Sequence, residues 1–174
     1  MKLTEIARKT LEAYFKGKEF VPDEKTKKKY NEKKACFVTL TINERLRGCI
    51  GSLEARNELW KDVIQNAQHA AFNDFRFSPL KEDELKRIKI EVSVLTTPKR
   101  LEFENEKDLL EKIDRKMGII LEKNDYNATF LPQVWLQIPD KKDFLENLSM
   151  KAEMSRNEWK TSIISYYRVE IEKE

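Results

Sequence analysis

The sequence predicts an α+β protein with a mostly antiparallel sheet and helices packed against it. Apolar residues recur at helical spacing over residues 3–15 and 58–72, and apolar and polar residues alternate over 88–94, as in a half-buried strand. Helices and strands follow one another without the regular spacing of βαβ units, which argues against a parallel sheet. The length of 174 residues suits one domain, with or without a small second lobe.

The first helix and the first hairpin are predicted from the spacing of their apolar residues and from the residues at which they end or turn. Gly17 follows the apolar stripe of residues 3–15 and can end that helix. Residues 35–42 alternate as a strand, Asn43-Glu44 can turn the chain, and 45–52 can return as the partner strand. We therefore expect an antiparallel hairpin directly before the helix at residues 58–72.

A lysine-rich segment separates the first helix from the hairpin. Residues 23–34 contain six lysines and no large aliphatic side chain, so we predict an exposed loop. A loop that binds phosphate or nucleic acid is the alternative, but Asp23, Glu24 and Glu32 dilute its positive field. The net charge of the chain is only +3, whereas nucleic-acid-binding domains carry a larger and clustered basic excess. The sequence therefore argues against nucleic acid as a partner.

The second half of the chain predicts shorter elements. Asn105 can cap a helix because its side chain can accept a hydrogen bond from the first turn, and Asp140 stands at the start of a second apolar stripe. An Asn/Asp turn separates two short apolar runs, and the last apolar run alternates as a strand. The predicted elements are helices at 105–113 and from 140 onward, and strands at 118–122, 128–131 and 163–171.

The overall composition is that of a folded chain with a strongly charged surface. Hydrophobic residues make up 40% and charged residues 37% of the chain, so it is not disordered by composition. The sequence shows no signal peptide and no apolar run of about 18 residues, and we expect a cytoplasmic protein without a membrane segment. Two cysteines and one histidine fit neither a zinc site nor a disulfide framework, and nucleotide-binding glycine motifs are absent. We predict neither a metal nor a cofactor.

The segment Arg47-Gly48-Cys49-Ile50-Gly51 is the strongest candidate for a functional site. The chain has only four glycines, and two of them flank Cys49 inside a predicted strand, where glycine marks a bulge or a close backbone approach. Backbone N–H groups near Gly48 and Gly51 would be open to an anion or a carbonyl oxygen. Arg47 can bind a carboxylate or phosphate and, two residues from Cys49 on a strand, can favour its thiolate form.

Two interpretations of Cys49 stay open at this point. It is either a small buried side chain in a bulged strand or a nucleophile beside a cation. His69, the only histidine, can pair with Cys49 as an activating base, or it can lie at the edge of the apolar helix face. Cys36 stands among apolar residues and is predicted to belong to the core.

Two further segments place polar residues in aromatic surroundings. Asp74 and Arg76 flank an aromatic residue directly after the helix at 58–72, where they either pair and fix the loop or line a cleft with Arg47. Gln133 follows a proline in the segment 131–135, and its amide offers both a donor and an acceptor that can orient a substrate.

In this order, the segments resemble the AMMECR-type domain family, called AmmeMemoRadiSam system protein A in clustered microbial genes. The matching stretches are LRGCIGSL at 46–53, DFRFSP at 74–79, IEVSVL at 90–95 and TFLPQVW at 129–135. The resemblance covers roughly residues 35 to 172. Together with the other three stretches, the LRGCIG motif is specific to this family.

Membership in this family implies an α+β fold with an antiparallel sheet, packed helices and a smaller lobe that forms a cleft near the LRGCIG motif. It also implies Memo-type and radical-SAM proteins as partners. This chain has no CxxxCxxC iron–sulfur motif, so it is not itself the radical enzyme. Phe75 stands where the family has proline, Ala128 where it has glycine, and Ser149 and Glu153 where it often has cysteine and glycine. The missing cysteine argues against a two-cysteine redox site.

The sequence supports two hypotheses of function. The first is an enzyme or enzyme subunit that uses Cys49 as nucleophile on a small anionic or carbonyl-bearing substrate. Its substrate-binding residues would be Arg47, Gly48, Gly51, Asp74, Arg76 and Gln133. The alternative is a non-catalytic module that binds a ligand or a partner protein.

Overall fold

The chain divides into two structural units, and the computed structural model describes residues 1–174 of both. The first unit contains residues 1–95 together with the C-terminal segment 170–174, and the second contains residues 96–169. Each unit has a four-stranded sheet and a hydrophobic core of its own. The cleft that the family resemblance implies stays a prediction.

Five α-helices and eight strands make up the two units. The helices are α1 (Leu3–Phe15), α2 (Glu24–Lys29), α3 (Leu59–Phe72), α4 (Glu106–Lys112) and α5 (Lys141–Lys151). The strands are β1 (Cys36–Ile42), β2 (Arg45–Gly51), β3 (Lys89–Leu95), β4 (Lys99–Arg100), β5 (Gly118–Lys123), β6 (Tyr126–Phe130), β7 (Ile163–Tyr167) and β8 (Val169–Lys173). None of the helices is long and apolar enough to cross a membrane.

The strands form two sheets, which confirms the predicted α+β class. The strand order is β2-β1-β3-β8 in the first unit's sheet and β4-β7-β5-β6 in the other. The pairs β1–β2, β1–β3, β4–β7, β5–β6 and β5–β7 are all antiparallel. Only β1–β2 and β5–β6 join strands that are neighbours in sequence, so the other pairs need longer connections.

The first unit builds its core from the sheet and the helices α1 and α3. The predicted hairpin is confirmed, because β1 and β2 pair antiparallel and Asn43 and Glu44 turn the chain with φ values of 50° and 64°. Two successive positive φ angles produce a turn whose twist matches that of the paired strands. Apolar side chains from these elements are fully buried in the core: Ile6, Leu11, Val38, Leu40, Val63, Ala67 and Val92.

The lysine-rich segment is not simply a loop, and the structure corrects this prediction. Residues 23–34 contain the short helix α2, and Asp23 caps it by accepting the N–H of Thr26 at 2.7 Å. Three lysines occupy the last turn, where positive charge interacts favourably with the helix dipole. The cap and the placement of charge stabilise this helix. The sequence does not predict it, because the segment has no aliphatic side chains that would form an apolar helix face.

The last predicted strand, residues 163–171, is in fact two strands. Arg168 interrupts it, so that β7 belongs to the second sheet and β8 to the first. At the break, the N–H of Arg168 donates to Thr96 Oγ1 and the N–H of Thr96 donates to the Arg168 carbonyl, both at 2.9 Å. The alternation of side chains continues across the break, and the sequence pattern therefore does not reveal it.

The second unit packs α4 and α5 with its sheet around aromatic side chains. Trp135 stacks on Phe144 with ring centroids 3.6 Å apart, and its Nε1–H donates to the Met117 carbonyl at 2.8 Å. The predicted helix starts are confirmed, since Asn105 accepts the N–H of Asp108 and Asp140 accepts those of the first turn of α5. These caps fix where each helix begins against the sheet.

Helix α5 ends in a turn that normally contains glycine. The N–H of Met154 donates to the Ser149 carbonyl and the N–H of Glu153 to that of Met150, both at 3.0 Å, as in a Schellman motif. Glu153 has a φ of 61°, a left-handed backbone that strains any residue with a Cβ. The turn therefore accounts for the glycine that the family resemblance implies at this position.

We expect the substitution Glu153→Gly to stabilise the protein by about 0.5–1 kcal/mol, because it removes the strain of the left-handed backbone. The free energy of unfolding from urea titration measures this gain. Glu153→Ala is the control, since alanine keeps the Cβ and should bring no gain. A lower unfolding midpoint for the glycine variant would contradict the prediction.

Candidate functional site

A β-bulge at Arg47 interrupts the predicted site segment. In the β1–β2 ladder Leu40 pairs with Gly48 and Thr41 with Leu46, so Arg47 is the extra residue on β2. A bulge of this kind bends its strand and redirects a side chain. The irregularity that the two glycines predict is present, one position before the first of them.

Both glycines of the segment lie where another part of the chain leaves no room for a side chain. A Cβ on Gly48 would stand 2.0 Å from the Ala70 carbonyl oxygen of α3. A Cβ on Gly51 would stand 2.4 Å from the Cys36 carbonyl oxygen and from the Phe37 ring. The glycines thus allow β2 to pack closely against α3 and β1, and packing is sufficient to explain them.

The guanidinium of Arg47 is bound within the protein. Its Nε and Nη2 donate to the two carboxylate oxygens of Glu84 at 2.8 and 2.9 Å, and Nη1 donates to the Ser78 carbonyl at 3.0 Å. Both side chains are mostly buried, with 14% and 18% exposed. The Arg47 hydrogen bonds lower the pKa of Glu84 from its ordinary value of 4.5 to about 2. Arg47 therefore fixes the chain after α3 to β2.

Asp74 ties the loop after α3 to the backbone of Cys49. Its Oδ2 accepts the Cys49 N–H at 2.9 Å and an Nη2–H of Arg76 at 2.7 Å, while Oδ1 accepts the Arg76 Nε–H at 2.9 Å. Arg76 also donates to the Cys49 carbonyl at 3.1 Å. The Arg76 guanidinium holds the pKa of the buried Asp74 well below its usual range. Both backbone polar groups of Cys49 are thereby occupied.

The sulfur of Cys49 lies on the sheet face opposite α3. The missing side chain of Gly48 faces Ala70 of α3, and successive strand residues point to opposite faces. Cys49 is half-buried, and the hydroxyl of its cross-strand neighbour Thr39 donates to Sγ at 3.2 Å. The thiol is therefore neither deep in aliphatic packing nor beside a free cation.

His69 and Cys36 lie on the α3 side of the sheet, apart from this thiol. His69 is half-buried on α3, behind the sheet from the Cys49 side chain, which argues against an activated Cys49–His69 pair. Cys36 is fully buried, in agreement with its predicted place in the core. Gln133 belongs to the second unit, where it is exposed in a 3-10 helix at Pro132–Leu136. Its predicted role in orienting a substrate stays a prediction.

Two features of this region escape the sequence analysis. Glu84, the partner of Arg47, lies 37 positions further along the chain, and no local pattern connects them. Polar side chains also recur at helical spacing on one side of α3, and this signal is visible in the sequence once α3 is identified. These residues are Asp62, Gln65, Asn66 and His69.

Two antiparallel sheets with packed helices define an α+β protein. Its most distinctive local feature is a glycine-flanked cysteine whose backbone is held by the buried Asp74 and its partner Arg76. The chain belongs to the AMMECR1 family, whose pattern matches residues 4–173. It is 40% identical to Protein NEQ441 of Nanoarchaeum equitans over 91% of this chain and 90% of that protein. It is 36% identical to Protein MJ0810 of Methanocaldococcus jannaschii over 94% and 83% of the two chains.

A solved structure supports the same assignment. The crystal structure of uncharacterized protein PH0010 from Pyrococcus horikoshii matches with a TM-score of 0.80 and 34% identity. The match covers 99% of this chain and 89% of that one. The predicted family membership is therefore confirmed.

We expect Glu84→Gln to lower the free energy of unfolding at pH 7 by on the order of 2 kcal/mol, because it leaves Arg47 without its counter-ion. The pKa of Glu84 is depressed in the folded state, so the pair stabilises above pH 4.5 and this stabilisation is lost as the pH falls to about 2. Urea titrations at several pH values in this window measure the effect.

The pH dependence of the free energy of unfolding distinguishes the loss of the ion pair from a loss of packing. The variant's stability should fall less steeply than that of the wild type between about pH 4.5 and 2. Glu82→Gln is the matched control, since Glu82 is exposed in the same 3-10 turn. Parallel pH curves for wild type and Glu84→Gln would show that the ion pair does not contribute.

Proposed function

We propose that this protein is a non-catalytic binding module and that the loop around Phe75 is its contact surface. The observation that carries the proposal is that both arginines near Cys49 are paired with carboxylates of the same chain. Arg47 is bound to Glu84 and Arg76 to Asp74. A substrate anion would have to displace a charge-assisted pair in each case. The Arg47–Glu84 pair is mostly buried, and breaking a buried pair is costly.

The loop has the properties of a preformed contact surface. Phe75 is 94% exposed, whereas the carboxylate of its neighbour Asp74 is 2% exposed and accepts hydrogen bonds from Arg76 and Cys49. The loop is therefore fixed by the hydrogen bonds of Asp74, while the aromatic side chain of Phe75 stays in solvent. A loop backbone that is fixed before binding loses little conformational entropy on association, and aromatic residues dominate binding energy at interfaces.

The family resemblance suggests which proteins use this surface. AMMECR-type proteins are associated with Memo-type and radical-SAM proteins, and we propose that a Memo-type protein is the direct partner. An apolar pocket on that protein would receive Phe75, which in this chain takes the place of the family's proline. The half-exposed guanidinium of Arg76 would lie at the edge of the contact.

Thiol chemistry at Cys49 is the second candidate function. Two observations favour it: the side chain is half-buried rather than buried, and the Thr39 hydroxyl donates to the sulfur at 3.2 Å. A hydroxyl donor can stabilise a thiolate. The enzyme hypothesis would then rest on a thiol assisted by Thr39, without an arginine free to bind the substrate.

We expect Phe75→Ala to weaken binding of the purified Memo-type protein of the same organism at least about tenfold, because hot-spot aromatic residues contribute about 2 kcal/mol or more. Val21→Ala is the control, since Val21 is also exposed (58%) but lies far from this loop in sequence. Isothermal titration calorimetry with each protein measures the affinity, and the radical-SAM protein is titrated in parallel.

Cys49→Ala serves as the test against catalysis in the same assay. The binding-module proposal predicts that this variant binds as the wild type does. Equal affinity of wild type and Phe75→Ala, or no complex with the Memo-type protein, would refute the proposed surface.

We expect Cys49 to react with iodoacetamide in the folded protein at a rate no greater than that of a simple thiol, and Cys36 to react only after unfolding. Burial, together with the nearby carboxylate of Asp62, raises the pKa of the Cys36 thiol. Mass spectrometry of the wild type, Cys36→Ala and Cys49→Ala assigns each rate. A Cys49 rate well above that of a free thiol near neutral pH would favour the enzyme hypothesis instead.

A further inference from the structure

A polar cavity lies beside α3 in the first unit, under the segment that connects β2 to α3. Its volume is about 520 Å³, within the usual range of small-molecule sites. Its lining includes the polar side of α3 and the facing connection: Asn57, Asp62, Gln65, Asn66 and His69. Asp62 and Asn66 are 4% and 5% exposed, so two nearly buried polar side chains reach this space.

The carboxylate of Asp62 has no cationic partner, unlike the other buried carboxylates of the chain. Three acidic side chains are buried: Asp62, Asp74 and Glu146. Asp74 pairs with Arg76 at 2.7 Å and Glu146 with Arg156 at 3.1 Å. Buried charges are normally paired because desolvation of an isolated charge is costly. Asp62 is therefore the one buried acid for which the protein supplies no counter-ion.

The hydrogen bonds of Asp62 come from neutral groups alone. Its Oδ2 accepts the Cys36 N–H at 3.1 Å, the Asn66 Nδ2–H at 3.0 Å and the Cys36 thiol at 3.3 Å. The side chain of Asn57, which lines the cavity, also hydrogen-bonds this carboxylate. All of these partners are neutral, so the carboxylate is anchored without a counter-ion, and a cationic ligand would supply one.

The neighbouring amides also present oxygen atoms rather than N–H groups. Asn66 uses its Nδ2 to donate to Asp62 and to the Cys36 carbonyl, and Asn57 uses its Nδ2 to donate to Gln65 at 3.4 Å. The amide oxygens of both asparagines therefore remain as acceptors. The remaining charges at the rim, Glu54 and Arg56, pair with each other at 2.6 Å and cancel.

We propose that this cavity binds a small molecule that carries a primary ammonium or guanidinium group, with Asp62 as its counter-ion. The amide oxygens of Asn57 and Asn66 accept its other N–H groups. Burial raises the pKa of Asp62 in the empty protein, which agrees with a carboxylate that lacks a positive neighbour. The site is separate from the Phe75 surface and goes beyond the proposed binding of partner proteins.

Titration with agmatine, which carries both cationic groups, tests the proposal. Nuclear magnetic resonance of the ¹⁵N-labelled protein should show saturable shifts confined to the amides of residues 51–57 and 62–69. Butylammonium and butylguanidinium should shift the same amides. Butylurea, which has the shape without the charge, should not. Equal binding of butylurea, or no saturable shift with any of the cations, would overturn the proposal.

Asp62→Asn removes the charge and keeps the shape of the side chain. We expect it to weaken agmatine binding at least about tenfold, since a charged hydrogen-bond partner is lost. Asp83→Asn is the matched control, because Asp83 is exposed and outside the cavity. Asn57→Leu, at the half-exposed rim, provides a second variant if Asp62→Asn does not fold, and it should also weaken binding. Unchanged affinity in either cavity variant would refute the site.

A capped Gly-Arg-Gly peptide distinguishes a free molecule from an arginine of another protein. The proposal predicts weaker binding of the peptide than of agmatine, because the cavity is small and partly enclosed by the β2–α3 connection. Stronger binding of the peptide would assign the cavity to a protein side chain and overturn the small-molecule proposal.

Discussion

The close approach of β2 to α3 at Gly48 is the constraint on which the first unit's functional region depends. With a Cβ at this position only 2.0 Å from the Ala70 carbonyl oxygen, any other residue would push the strand away from the helix. The contact sets which face of the sheet Cys49 occupies, because neighbouring strand residues alternate between faces. It also brings the end of α3 close enough for Asp74 to accept the Cys49 N–H. A steric requirement of one residue thus determines the geometry of the whole segment.

Two ion pairs then hold this geometry on either side of Cys49. Arg47 binds Glu84 and the carbonyl of Ser78, while Asp74 binds Arg76 and the Cys49 backbone. In both pairs the acid has a lowered pKa, as expected where a guanidinium stabilises the ionised form. Charges that satisfy one another are poor ligands for an incoming anion. The motif therefore supports a rigid scaffold for the exposed Phe75 better than it supports an anion-binding site.

The sequence is sufficient for the fold class and for most element ends, because these depend on local chemistry. The caps at Asn105 and Asp140 and the turn at Asn43-Glu44 each act within a few residues. The partner of Arg47 is not predictable in this way, since Glu84 reaches it only through the tertiary fold. The glycines correctly indicate that another group comes close to the backbone of β2. The sequence does not tell whether that group is a ligand or, as found here, a helix. The break at Arg168 escapes detection because alternation continues through it.

The comparison of Asp62 with Asp74 shows what a motif alone does not reveal. Both residues are 4% exposed, and both carboxylates accept the N–H of a cysteine on a strand of the first sheet. Asp74 has an arginine two residues away in its own loop, so its charge is neutralised when the chain folds. Asp62 has only amide and thiol groups as hydrogen-bond partners, and none of them carries a positive charge. A buried charge without a partner is costly. Asp62, which lacks a counter-ion, is therefore a stronger indication of a ligand than the cysteine segment that stands out in the sequence.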